Sequence, residues 1–271
     1  MSVALLNQTV GVVYTGQVVA SMLAYLCASA AHARALILSW RVVRAHHILV
    51  RWSCDAMIRD ADQRLFDQTI SLEFYGSRTN ACNYTNPWSA EMNICRTAAM
   101  CRAVTAGVRA AYVRGCTYVL RIRVDIILEQ WQLPPRIDSQ CMYTYDHHLQ
   151  GASPSDNVAF GPIAVIGAVF APYGESWNRT ALSSEQMVLH RAQRMNVSLC
   201  YIPFSSWLVK PSSGSRQQRS NGVRHWYWHA GYIQITPHAK MPLATLPLRL
   251  TSPAQCLNAT NATTPRTVHA H

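Results

Sequence analysis

The chain has 271 residues, enough for one large domain or two small ones, and its 49% hydrophobic and 14% charged content is that of a protein with a buried core. Twenty-four Lys and Arg against 13 Asp and Glu give a formal net charge of +11. Arg forks onto phosphate bidentately, so anionic or phosphorylated ligands fit this balance. The Arg residues are scattered rather than bunched into basic runs with interleaved aromatics, which argues against a nucleic-acid-binding protein.

Val10–Tyr14 is a short β-branched run ended by Thr15-Gly16-Gln17, and Val18–Ala33 reads as an Ala-rich helix. A strand feeding a helix through a glycine turn opens an α/β fold, and the free N–H groups at such a helix start suit phosphate. Residues 1–31 carry no charged side chain, yet they contain Asn7, Gln8, Thr9, Thr15, Gln17 and Ser21 and lack a basic start. A buried strand–loop–helix is therefore expected, with membrane association through this segment not favoured.

Ala35–Trp40 is a further apolar piece, and His47–Trp52 reads as a strand. Ala56–Phe66 reads as a short helix, Gln68–Phe74 as a strand and Gly76–Trp88 as a loop. A helix capped by Ser89 runs to about Arg114 and stops at Gly115, with Asn93 and Arg96 on one face.

Next comes Tyr118–Leu128, read as a single interior strand. Its apolar alternation leaves Arg121, Arg123 and Asp125 together on one face. Buried charge costs several kcal/mol, on the order of 2–5, unless it is paired, so this face either meets internal partners or lines a cleft.

Met142–Tyr145 is a strand, His147–Asp156 a loop, and Val158–Ile166 a strand, turn and helix. A helix capped by Ser183 or Ser184 runs to about Met195, and Val197–Ile202 is a late strand. Pro211–Gly222 is a polar loop. Arg224–His229 is rich in aromatics, and Trp226 and Trp228 suit either a core or a sugar-stacking platform. Residues 253–271 form a polar, disordered tail. Strands alternating with helices predict a three-layer α/β/α domain over residues 1–252 with a mostly parallel central sheet. Ligand is expected beyond the carboxyl ends of the strands, where Asp125 and residues 15–17 lie.

Nine cysteines, at 27, 54, 82, 95, 101, 116, 141, 200 and 256, form an odd set with no Cys-x-x-Cys and no zinc spacing. Several sit in apolar runs as small hydrophobes, so reduced thiols and a cytoplasmic location are expected. Six Asn-x-Ser/Thr sequons, at Asn7, Asn83, Asn178, Asn196, Asn258 and Asn261, then read as chance.

The order of motifs resembles a set of bacterial and large-virus glycosyltransferases, the lipopolysaccharide-synthesis group related to the WavE family. Gly11-Val-Val-Tyr-Thr-Gly-Gln17 resembles their first strand, and His47-Ile-Leu-Val-Arg-Trp-Ser53 their second. Asn93-x-x-Arg96 with the strand ending Arg-Ile-Arg-Val-Asp125 resembles their helix and Arg-x-Asp strand. Ser155-Asp-Asn-Val-Ala-Phe-Gly161 and Ser184-Glu-Gln-Met187 resemble later motifs.

The resemblance covers about residues 10–210 and implies a GT-A nucleotide-diphospho-sugar transferase fold, with a nucleotide-binding half at about 8–130 and an acceptor half at about 131–252. It implies transfer of a hexosyl, deoxyhexosyl or pentosyl unit from a UDP-, GDP- or dTDP-sugar to a glycan acceptor. On this resemblance Thr15, Gly16, Gln17, Arg96, Arg121 and Arg123 bind the nucleotide sugar. Asp125 holds Mn²⁺ or Mg²⁺ at the diphosphate, and Glu185, with Asp156 as runner-up, is the catalytic base. Many GT-A enzymes carry Asp-x-Asp where this chain has Arg123-x-Asp125, which opens two alternatives. Arg123 itself supplies the positive charge, or the chain is an inactive relative that binds glycan or nucleotide without turnover.

Overall fold

The computed structural model of the chain describes residues 5, 7–16, 18, 23–53, 64–73, 90–145, 154–171, 183–202, 204–211 and 223–229. Within these, 23–25, 90–96, 129–130, 204–211 and 223–229 are described by backbone alone. The elements in chain order are β1 (Thr9–Thr15), α1 (Leu23–Ser39), β2 (Arg44–Trp52), β3 (Gln68–Leu72), α2 (Ala90–Val113), β4 (Tyr118–Arg123) and β5 (Ile126–Trp131). Then come β6 (Cys141–Thr144), β7 (Val158–Pro162), α3 (Ile163–Val169), α4 (Ser184–Arg194), β8 (Ser198–Tyr201), β9 (Phe204–Pro211) and β10 (Val223–His229).

Seven strands form one sheet in the order β3-β2-β1-β4-β7-β6-β8. β1 pairs in parallel with β2 and β4, β2 with β3, and β6 with β8, while β7 runs antiparallel to both β4 and β6. The sheet is thus mostly parallel, as expected, with β7 reversed. From β1 to β2 the chain steps one way along the sheet, and from β3 to β4 it steps the other way. Right-handed crossovers then put α1 and α2 on opposite faces.

The two cores follow that division. Val10, Val12 and Tyr14 of β1 pack with Leu26, Ala30 and Ile37 of α1, together with Leu120 and Ile122 of β4. The alternate residues Val13, Ile48, Val50 and Val119 pack with Val104, Val108 and Ala111 of α2, Val165 and Ile166 of α3, and Met187 and Val188 of α4. Both faces being covered is why these strands read as nearly continuous apolar runs. α2 lies close on the sheet because Gly107 faces Val13: a Cβ there would come within 2.2 Å of Val13 Cγ1. Its carboxyl end closes as expected at Gly115, in the left-handed region at φ 72°. Gly115 N–H donates to Tyr112 O and Cys116 N–H to Ala111 O, satisfying carbonyls that the helix leaves open.

The single strand expected over 118–128 is two strands. β4 ends at Arg123, Val124 and Asp125 turn, and β5 leaves for a second, three-stranded antiparallel sheet of order β10-β9-β5. Alternation hid the break because Val124, Ile126, Ile127 and Leu128 are all buried in one core on either side of it. Ser29 of α1 donates to Ile126 O at 2.6 Å, tying that helix to the start of β5. α1 also runs on to Ser39 and absorbs most of the apolar piece at 35–40, and β9 is a strand where none was expected.

The helix expected over 56–66 is described only from Arg64. Gln17, the loop 76–88, Ser89, residues 147–153, the loop 212–222 and the tail 253–271 lie outside the described residues. No helix among those described is long and apolar enough to cross a membrane.

The expectation of reduced thiols is corrected at three positions. Cys141 of β6 and Cys200 of β8 form a disulfide with Cα atoms 6.0 Å apart, and Cys27 of α1 is disulfide-bonded as well. Parallel pairing brings Cys141 and Cys200 together across 59 residues of sequence. Cys101 and Cys116 remain free and buried.

Candidate functional site

Between β1 and β4 the connections leave in opposite directions, and in such sheets the crevice for a ligand lies there, beyond the carboxyl ends of the strands. Those ends are Thr15-Gly16 and Arg123. Gly16 holds φ 140°, and a Cβ on it would come within 2.8 Å of Val124 Cγ2. Glycine therefore lets the two strand ends close on each other, and Val124 N–H donates to Thr15 O at 3.0 Å.

Arg121 and Arg123 point to the α2 side by the two-residue period of β4. Arg121 is 1% exposed. Its Nε donates to Thr15 Oγ1 at 3.1 Å, and its guanidinium sits 5.7 Å from the centroid of the Phe170 ring. Its Nη1 is buried with no hydrogen-bond partner among the described residues. Burial pulls this guanidinium down to about 10, against the attraction of Asp156.

Arg123 lies further out, its side chain 25% exposed. It forks onto Asp125, Nε to Oδ1 at 2.5 Å and Nη2 to Oδ2 at 2.7 Å, while Nη1 donates to Asn157 Oδ1. Burial disfavours its charge, but Asp125, by attraction and hydrogen bonding, outweighs burial and raises its pKa above the ordinary value. These bonds use three of the five N–H groups of a guanidinium and leave two to offer.

Because β7 is reversed, its amino end lies at the same edge as the carboxyl end of β4. That places the turn Ser155-Asp156-Asn157 in the site. Asp156 is buried, and its charge acts on both guanidiniums. Asn157 is held on four sides. Its carbonyl accepts from Arg123 N–H at 2.9 Å, its N–H donates to Ser155 Oγ at 3.0 Å, its Oδ1 receives Arg123, and its Nδ2 donates to Tyr145 Oη at 3.2 Å. Sequence reasoning did not single out Asn157 or Tyr145. Asn157 stood inside the quoted Ser155-Asp-Asn motif, but its role depends on the reversal of β7.

The structure thus gathers Thr15, Gly16, Arg121, Arg123, Asp125 and Asp156 at one edge. α2 runs antiparallel to the β4 that follows it, which puts the early turn carrying Arg96 at this edge, described there by backbone alone. α4 likewise runs antiparallel to β8, so its first turn, with Glu185, lies at the same edge on a separate element. Ser183 caps that turn: its Oγ accepts from Gln186 N–H, and Gln186 Oε1 accepts from Ser183 N–H. Ser184 Oγ is 3.4 Å from Glu185 Oε2. The favourable helix-start position accounts for an acidic residue there irrespective of catalysis.

The expected Mn²⁺ or Mg²⁺ would meet Asp125 as a carboxylate already bonded to Arg123. Both its oxygens already accept from Arg123, and no three His, Cys, Asp or Glu among the described residues group to hold a cation. Two guanidiniums and two carboxylates cancel formally, which leaves the remaining N–H groups of Arg123 as the directional donors at this edge. No protein-family model matches the chain, and no curated protein matches its sequence.

Proposed function

We propose that this chain is a glycosyltransferase of GT-A type that takes a nucleotide diphospho-sugar at the β1/β4 crevice and passes the sugar to a glycan acceptor. The observation that carries this reading is the partly exposed Arg123 guanidinium at the end of β4, whose bonds to Asp125 and Asn157 leave two N–H groups to offer a phosphate oxygen. The motif order resembling the WavE-related group and the mostly parallel sheet support the same reading. In it, Gly16 lets the nucleotide approach the backbone, and Arg123, with Arg121 behind it, meets the diphosphate charge in place of a protein-held cation.

The sugar C1–oxygen bond to the diphosphate breaks, and the diphosphate leaves with the electron pair. The acceptor oxygen bonds to C1, and its proton passes to a base, for which Glu185 is the candidate and Asp156 the runner-up. Trp226 and Trp228 belong to β10, in the sheet that begins just after Asp125, and are the candidates for stacking on the acceptor glycan.

Calorimetry with UDP, GDP and dTDP, each in chelator and in Mn²⁺, tests the proposal. Binding of one nucleotide in chelator is expected, and no binding under either condition would end it. The Arg123–Asp125 clamp also favours a second reading, a relative that binds without turnover. Nucleotide binding with neither donor hydrolysis nor transfer would select that one.

A further inference from the structure

We propose that Asn196 is an N-glycosylation site and that this protein matures in an oxidising secretory lumen. Six of the chain's 11 asparagines begin an Asn-x-Ser/Thr sequon, in a chain where 39 of 271 residues are Ser or Thr. Two of those asparagines, Asn7 and Asn196, lie among the described residues, and both are exposed in turns that lead directly into a strand.

Asn196 follows α4. It holds φ 52°, and its N–H donates to Gln193 O while Val197 N–H donates to Ala192 O. Asn7 precedes β1 at φ 69°. A left-handed turn explains an asparagine at each place, since Asn tolerates that conformation. It does not explain Ser198 and Thr9 two residues on.

The two positions share a location. β1 and β8 run the same way through the sheet, so Asn7 and Asn196 sit at its amino edge, opposite the crevice with Arg123. A bulky glycan there leaves the crevice clear.

The thiols point to the same compartment. Cys141 and Cys200 close a disulfide two residues beyond the Asn196 sequon, and Cys27 is also bridged. Persistent structural disulfides belong to oxidising compartments and are rare in the cytosol. Sequon accessibility and disulfide closure are separate properties, and one compartment explains both.

The test makes the full chain twice: behind a cleavable secretory signal in cultured animal cells, and without it in a reducing cytosol. Lumenal chain, secreted or retained, is alkylated without reduction and mapped by peptide mass spectrometry before and after enzymatic removal of N-glycans. The expected result is a glycan on the Asn196 peptide, lost in Ser198→Ala and kept in Ser198→Thr, with the Cys141 and Cys200 peptides linked. The lumenal chain is also expected to have a higher Tm than the cytosolic chain. Bare Asn196 in lumenal chain, alkylated Cys141 and Cys200, or equal Tm in the two preparations would each overturn the proposal.

Discussion

The Arg123–Asp125 clamp makes a quantitative prediction. Two unit charges about 4 Å apart interact by about 4 kcal/mol at an effective dielectric constant near 20. The two side chains are 25% and 16% exposed, so solvent and the cost of ordering them remove part of that, leaving about 2 kcal/mol. A thermodynamic cycle of wild type, Arg123→Met, Asp125→Asn and the double variant, unfolded in denaturant, measures this coupling directly. The expected Tm loss for Asp125→Asn is about 4–8 °C, since about 1 kcal/mol shifts a chain of this size by 2–4 °C. Nucleotide titration of the same variants in chelator should show Arg123→Met weakened about tenfold, equivalent to about 1.4 kcal/mol. A coupling below about 0.5 kcal/mol would refute the geometry. Unchanged nucleotide affinity in Arg123→Met would refute the role of the guanidinium.

Gly16→Ala should lose nucleotide binding and about 1–3 kcal/mol of stability, because its φ and its approach to Val124 both exclude a Cβ; calorimetry and a melting curve check this, and normal binding would contradict it. Glu185→Gln should keep donor binding and lose sugar transfer, measured by product formation; transfer at the wild-type rate would remove Glu185 as base. His47 supplies a pH dependence. Burial first, then Arg34 and His46, lower its pKa to about 3, while its Nδ1 bonds to Tyr14 Oη at 2.9 Å. The unfolded chain therefore takes up the proton first as pH falls. Its contribution to stability is complete above about 6.5 and is lost toward about 3, with a slope of up to about 1.4 kcal/mol per pH unit. Denaturant melts between pH 7 and pH 4 should show a smaller loss for His47→Gln than for wild type, and equal losses would contradict the assignment.

Much of the sheet was visible in the residues because its strands are buried on both faces and its helices carry their own stop signals. Gly115 ends α2, and the Ser183–Gln186 box starts α4, by local hydrogen bonds that depend on nothing distant. What escaped was set by partners far along the chain. The break after Arg123 is invisible to alternation because apolar residues continue through it, and only pairing with β9 draws β5 away. Asn157 became a site residue through the reversed direction of β7, which composition does not encode. Cys141 and Cys200 looked like two more small hydrophobes until parallel pairing of β6 and β8 set them side by side. The charges at 121, 123 and 125 do gather at the end of β4, where Asp125 is clamped by Arg123.

Two residues, Val124 and Asp125, join the large sheet to the small one between β4 and β5, and the chain crosses again from β8 to β9. One arm is fixed by β1 and β7 on either side of β4, the other by β9 along β5. Rocking of one sheet against the other bends the backbone at both crossings, and the one at Val124 and Asp125 carries the carboxylate gripped by Arg123. Cargo seated on the small sheet would therefore have mechanical leverage on the guanidinium fork without touching it.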